Sequence, residues 1–151
     1  MEFKDFLTEN REDIDKKVIE VKNKLFGIPY LHNGRSYEGV DCIGLIHLFF
    51  KEMGVEFPVD DGRHIPNDWY KTEPDRYING LKKIGEEVGH YDKLRIFDIA
   101  YFSLYRNVVT HSAVMLDNYN FLHVLNDRKV TEASFKKRFW RAKYVGARRV
   151  F

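Results

Sequence analysis

Cysteine occurs once in the 151 residues of this sequence, at Cys42, which excludes an intrachain disulfide and any Cys-rich zinc site. Long hydrophobic runs are missing too. The longest, residues 42–50, falls far short of the roughly 20 residues that a membrane span requires. Proline and glycine are sparse, at 4 and 10 residues. With 32% charged and 44% hydrophobic residues, the composition excludes collagen-like and low-complexity chains and argues against disorder. The start, Met1-Glu2-Phe3-Lys4-Asp5, has neither a basic cluster nor an apolar stretch. The expectation is a chain without a Sec-type signal peptide, made in the cytoplasm and staying there unless something else carries it out.

Aromatic residues are plentiful by contrast: 12 Phe, 9 Tyr and 2 Trp make up 15% of the chain and fit a globule with a large aromatic core. The length predicts a single domain over residues 1–151, with residues 1–24 as a helix leading into it. Charge is unevenly spread. Residues 128–151 hold nine Lys/Arg against one acid, Glu132, a net +8, whereas the first 127 residues sum to −6. Such a segment is either a solvated face or a patch for an anionic partner. No nucleic-acid motif accompanies it, so nucleic acid is an unfavoured partner.

Ile14, Val18, Val21 and Leu25 recur at helical spacing and predict a helix over residues 10–25, stopped by Gly27 and Pro29. A loop rich in turn residues follows. Asp41 is a suitable N-cap for a helix over residues 42–53, with Gly54 ending it. That helix is apolar nearly all round and should be the central buried one. Residues 57–90 read as irregular, with a short helix near 75–84. Alternation then predicts antiparallel strands over 99–105, 111–117 and 121–125, a basic helix capped by Thr131 over 131–140, and a last strand over 144–151. Helices first and a strand meander after them is an α+β order.

The position of Cys42 directs attention to chemistry. In the first turn of a helix, orphan N–H groups and the positive end of the helix dipole favour a thiolate over a thiol of ordinary pKa near ~8.5. A histidine would complete the activation. Of the six, His47 points away along the same helix, and His32, His64 and His90 lie in loop-like stretches. His111 and His123 lie on adjacent predicted strands. Alternation puts His111 with Ala113 and Met115, and His123 with Phe121 and Leu125, as expected of a face packed on the buried helix. Both can share that face only if their hairpin closes through an odd number of residues, three or five.

At this point a resemblance is specific. Gly27-Ile28-Pro29-Tyr30, then Gly34-Arg35-Ser36-Tyr37-Glu38-Gly39-Val40-Asp41-Cys42-Ile43-Gly44-Leu45, resembles the nucleophile region of the NlpC-type cysteine peptidases. These are papain-like enzymes that cut bacterial cell-wall peptides. Phe97-Asp98-Ile99-Ala100-Tyr101-Phe102, Thr110-His111-Ser112-Ala113-Val114-Met115-Leu116, Leu122-His123-Val124 and Gly146-Ala147-Arg148-Arg149-Val150 resemble its later motifs in order. The resemblance implies a papain-like α+β fold, in which the buried helix carrying the nucleophile packs on an antiparallel sheet. It implies Cys42 as nucleophile, His111 as general base and His123 as its orienting partner. Tyr30 would aid the oxyanion site, and Asp41 would both cap the helix and take part in substrate recognition. The substrate implied is a peptidoglycan stem peptide, cut at a bond such as γ-D-glutamyl to diaminopimelate or lysine, with no metal or organic cofactor.

Two departures stand in the substrate cleft. The family Ser after the nucleophile is Ile43, and the aromatic and double glycine after the Tyr appear as His32-Asn33-Gly34. Both resemble phage-tail and prophage members, so phage tail proteins are expected partners and delivery by a phage particle or at lysis the expected route to the wall. Two other readings remain open: a non-catalytic tail-assembly or wall-binding module, and a papain-like amidase or acyltransferase.

Overall fold

The computed structural model describes residues 11–55, 79–80, 82–105 and 107–150. Helix α1 (Arg11–Leu25) leads to a two-stranded hairpin, β1 (Arg35–Ser36) and β2 (Gly39–Val40), and then to helix α2 (Cys42–Glu52). After β3 (Glu86–Val88) and a 3-10 turn at Tyr91–Lys93 come β4 (Ile99–Phe102), β5 (His111–Met115), β6 (Asn120–His123) and β7 (Thr131–Ser134). Helix α3 (Arg138–Lys143) and β8 (Tyr144–Arg149) close the chain. The main sheet has the order β3-β8-β4-β5-β6-β7, with every pair antiparallel.

Two apolar layers enclose this sheet. On one face, Ile14, Val18, Val21 and Leu25 of α1, all at most 5% exposed, pack with Leu45, Ile46, Phe49 and Phe50 of α2 against Ile99, Tyr101, Val114 and Leu122. Each such side chain contributes about 1.5–3 kcal/mol by leaving water. On the other face Ala100, Phe102, Ala113, Met115 and Phe121 pack under Phe135 and Trp140. Among the described residues, no helix is long and apolar enough to cross a membrane.

Several expectations are corrected. Residues 131–134 are not helical: Thr131 to Ser134 pair with His123 to Asn120 and form the sheet edge β7. The unpaired N–H and C=O groups along β6 supply a ladder that outweighs the local helical pattern. The helix starts only at Arg138, and its cap position, Lys137, gives no side-chain cap bond. Cations at its start oppose the helix dipole, and it runs for only six residues. Residues 86–88, expected to be irregular, form β3 on the outer side of β8. The strand expected over 99–105 ends at Phe102, beyond which Tyr105 bridges Val108. Asn10 and residues 75–78 and 81 of the expected 75–84 helix lie outside the described residues, and residues 79, 80 and 82 are helical.

Candidate active site

The Cys42 end of α2 is built by Asp41, in extended conformation with ψ −175. Its Oδ1 accepts the Gly44 N–H at 2.7 Å and Arg35 Nη1 at 2.7 Å, while Oδ2 accepts the Asn33 N–H at 3.1 Å. One carboxylate thus caps the helix and straps the 33–40 hairpin to it. Gly44 makes the close approach feasible, because a Cβ there would collide with the Gly34 carbonyl oxygen. Cys42, the first helical residue, is half-buried.

Tyr30 reaches this corner through backbone bonds on both sides. Pro29 O accepts from Val40 N–H at 3.0 Å, and the Tyr30 N–H donates to Arg128 O at 2.8 Å. Burial first, then the nearby charges of Cys42, Asp41 and Asp127, push the Tyr30 hydroxyl up to about 12. It therefore stays protonated and can donate a hydrogen bond to an oxygen that becomes negative.

The two strand histidines form the second half of the site. His111 Nε2 lies 3.0 Å from His123 Nδ1. The β5–β6 register pairs Val114 with Leu122 and Met115 with Phe121, which leaves five residues between the last pair and satisfies the parity condition. Asp117 holds that turn by accepting the N–H groups of Tyr119 and Asn120, both at 2.7 Å. Trp140 stands edge-on to His123 at 4.9 Å between ring centres, and Phe102 lies 5.7 Å from His111. Burial lowers the pKa of both histidines, that of His111 well below the ordinary value with a smaller contribution from His123, and that of His123 to about 4. Both are neutral imidazoles at pH 7, with one ring donating to the other.

The histidine face is not the one packed on α2, contrary to expectation. His111 and His123 share the face that Phe135 and Trp140 cover, whereas α2 lies on the face of Val114 and Leu122. The aromatic cluster from the β7–α3 region fills the histidine side. The way from Cys42 to the histidines therefore runs round the end of the sheet rather than across a face. Two routes lead there. Phe49 and Phe50 of α2 both stand 6.2 Å from Phe97, whose N–H bonds Met115 O, so the far half of α2 lies over the far end of β5. Gly27 and Ile28 bond Val130, and Tyr30 bonds Arg128, in the segment that leaves β6 just after His123. Tyr30, Asp41 and Cys42 thus belong to the end where β5 begins and β6 finishes.

Three contributors had weak signals in the sequence. Arg35 lies within the quoted loop, but nothing in its spacing marks it as the partner of Asp41. Trp140 reads as part of a basic surface helix, although it is only 7% exposed and packs against both histidines. Asp98, 1% exposed, sits in an ordered motif, and its partner is Arg149 on β8. Among the described residues, no group of His, Cys, Asp and Glu side chains is gathered as a metal ion would need.

The sequence pattern of the NlpC/P60 family matches residues 27–149. The murein DD-endopeptidase MepS/murein LD-carboxypeptidase of Escherichia coli K12 is 23% identical over 138 residues, covering 91% of this chain and 64% of that protein. The chain thus spans less than two thirds of the length of the curated relatives it matches. The crystal structure of an NlpC/P60 family protein from Bacillus cereus ATCC 10987 superimposes with a TM-score of 0.64 at 25% identity, over 90% of this chain and 40% of that one. The NlpC/p60 domain of the peptidoglycan hydrolase SagA, at 15% identity, has the same fold with a TM-score of 0.60, over 89% of this chain and 97% of that one.

Proposed function

Because this chain belongs to the NlpC/P60 family, we propose that it is a cysteine peptidase hydrolysing an amide bond in bacterial peptidoglycan stem peptides, with residues 1–151 as one such domain. The observation that carries the reading is the 3.0 Å bond between His111 Nε2 and His123 Nδ1, with the Tyr30 segment bonded to the chain that leaves β6 just after His123. If His111 donates Nε2–H to His123, its Nδ1 is left as an acceptor. His111 Nδ1 takes the Cys42 proton, and the thiolate attacks the substrate carbonyl carbon. The oxygen that gains the charge is met by the Tyr30 hydroxyl and the Cys42 N–H. His111 then gives its proton to the departing amine, leaving a thioester. Water loses a proton to His111 and attacks the thioester, which releases the carboxylate and restores the thiol. Asp41 shapes the substrate side by fixing the hairpin and Arg35 beside the thiol.

A neutral His111 fits this sequence of steps, since it must accept a proton before it can return one. The test is digestion of purified peptidoglycan, with the new termini identified by mass spectrometry. Free amino and carboxyl ends within stem peptides are expected, and Cys42→Ala should abolish them. Digestion by Cys42→Ala at the unsubstituted rate would falsify the reading. Termini joined to a second amine would instead indicate an acyltransferase, and binding to walls without new termini a non-catalytic module.

The finer proposal is a phage or prophage setting, with phage tail proteins as partners and the wall reached on a particle or at lysis. Ile43 and the His32-Asn33-Gly34 segment support it. So do the cations of the last segment that point outward, Lys136 and Lys137 among them. Arg141, Arg148 and Arg149 are instead occupied with backbone carbonyls and Asp98. Reversing the charge of Lys136 and Lys137 should weaken binding to walls or tail partners, and rising salt should do the same. Cleavage of a small soluble peptide should not change.

A further inference from the structure

Residues 136–139 form the outer surface of an arch whose two feet are aromatic. Phe135 and Trp140 point inward, 3% and 7% exposed, and pack on Phe102 and Phe121 of the sheet. Arg141 ties the span by donating to the carbonyls of Phe135 and Lys136, at 2.9 and 3.0 Å. Between the feet, Lys136, Lys137, Arg138 and Phe139 are exposed in succession. Two rings lie at this surface, each with an ammonium over it. Lys136 Nζ stands 5.4 Å from the Tyr119 ring centre, and Lys143 Nζ 5.9 Å from that of Phe139. Tyr119 and Phe139 are 54% and 55% exposed. Lys136 and Phe139 are separated by at most about 11 Å of chain, so the two pairs share one patch. Among the described residues, Lys136, Lys137, Arg138 and Lys143 form no ion pair. Asp117, the carboxylate that feels Lys136, is already taken up by Tyr119 and Asn120.

Cations alone would suit any polyanion, walls and tail proteins included. The rings narrow the choice. A soluble polyanion leaves a phenyl ring in water, whereas the boundary between lipid headgroups and acyl chains takes both an apolar tip and the ammoniums around it. Protein interfaces are depleted in lysine, and three of these four cations are lysines. We infer that the arch is a docking surface for a bilayer bearing anionic lipids. Phe139 and Tyr119 enter its headgroup region, and Lys136, Lys137, Arg138 and Lys143 meet its phosphates. The arch covers the face of the sheet opposite α2, so the helix that carries Cys42 is turned away from the membrane. This docking goes beyond the peptidase function and does not depend on it. Where both hold, the layer of wall nearest the membrane is the one within reach.

Flotation of the full chain with vesicles provides the test. Mixed phosphatidylglycerol–phosphatidylcholine vesicles are compared with vesicles of phosphatidylcholine alone. The chain should float with the anionic vesicles and not with the neutral ones, and added salt should release it. Lys137→Gln together with Arg138→Gln should weaken binding about twentyfold or more, on a scale of about fivefold for each cation lost. Phe139→Ser should weaken it roughly tenfold by removing the apolar tip. Phe139→Trp should keep the affinity, and brominated acyl chains should quench its fluorescence beyond that of the unsubstituted chain; this holds the test open even if the Ser variant does not fold. Failure to bind anionic vesicles, equal binding to neutral ones, or no added quenching in Phe139→Trp would overturn the inference. So would an affinity unchanged by the paired Gln substitutions. Full-strength binding of Phe139→Ser to anionic vesicles and to purified poly(glycerol phosphate) alike would also overturn it and point to a wall polyanion. Vesicle binding without new termini in digested peptidoglycan would leave the docking standing and count against the peptidase function, while digestion without vesicle binding would do the reverse.

Discussion

Arg149 grips Asp98 with two prongs, Nε to Oδ1 at 2.9 Å and Nη2 to Oδ2 at 2.7 Å, where β8 runs beside β4. Asp98 also accepts the Arg95 N–H at 3.0 Å, so every donor it needs comes from the protein. The pair fixes the entry to β4, whose last residue, Phe102, stands directly opposite His111 in the ladder. A contact remote from the thiol thereby sets the position of the histidine strand.

Replacing Arg149 by Met should destabilise the fold by about 3 kcal/mol, because Asp98 is then left charged and buried without its partner. Replacing both by apolar residues of similar size should cost less than either single change. Urea denaturation of the two single variants and the double variant measures the difference.

Lowering the pH should weaken the fold in a window set by the histidine pair. His123 titrates near 4 in the folded chain and near the ordinary 6.5 when unfolded. Between those values the unfolded chain holds more protons, so stability falls as pH falls. His111 is shifted the same way by burial and by His123, and it adds to the loss. Melting temperatures measured from pH 7 to pH 4 should decline, and a His123→Asn variant should decline less steeply.

Gly44→Ala should cost about 1–3 kcal/mol, since the added methyl group meets the rigid carbonyl of Gly34 rather than a side chain that can move. The displaced hairpin would also loosen the Asp41 cap. Iodoacetamide should then alkylate Cys42 at a changed rate, read by mass spectrometry beside the urea curve.

Trp140→Ala should remove about 3–5 kcal/mol of packing against Phe102, Phe121 and the histidines. Water entering the gap should raise the pKa of His123 toward its ordinary value. Trp140→Phe should preserve most of both properties. NMR titration of the histidine ring protons distinguishes the two variants.

The first two helices were legible because their signals are local. The spacing of Ile14, Val18, Val21 and Leu25 already defines a buried stripe, and Asp41 announces a helix start. The shared face of His111 and His123 was legible too, because strand parity is arithmetic. β7 was not, since Thr131 to Ser134 become a strand only when the open edge of β6 is there to pair with. Nor was the side of the sheet that α2 covers, which depends on where Phe135 and Trp140 pack. Arg35 and Arg149 escaped notice for a related reason: an arginine looks the same in sequence whether it faces water or a carboxylate six or fifty-one residues away.

The short backbone bonds from Gly27, Ile28 and Tyr30 to residues 128–130 bear on how the chain acquires its reactivity. They span roughly a hundred residues, the kind of distant closure that comes late and slowly in folding. A nascent chain therefore exposes its thiol on a ribosome well before either histidine has been synthesised, and Tyr30 is seated only after both. Any nucleophile it presents in that interval is an ordinary thiol. The stitching of the first and last thirds is thus the closure on which the proposed reactivity would wait.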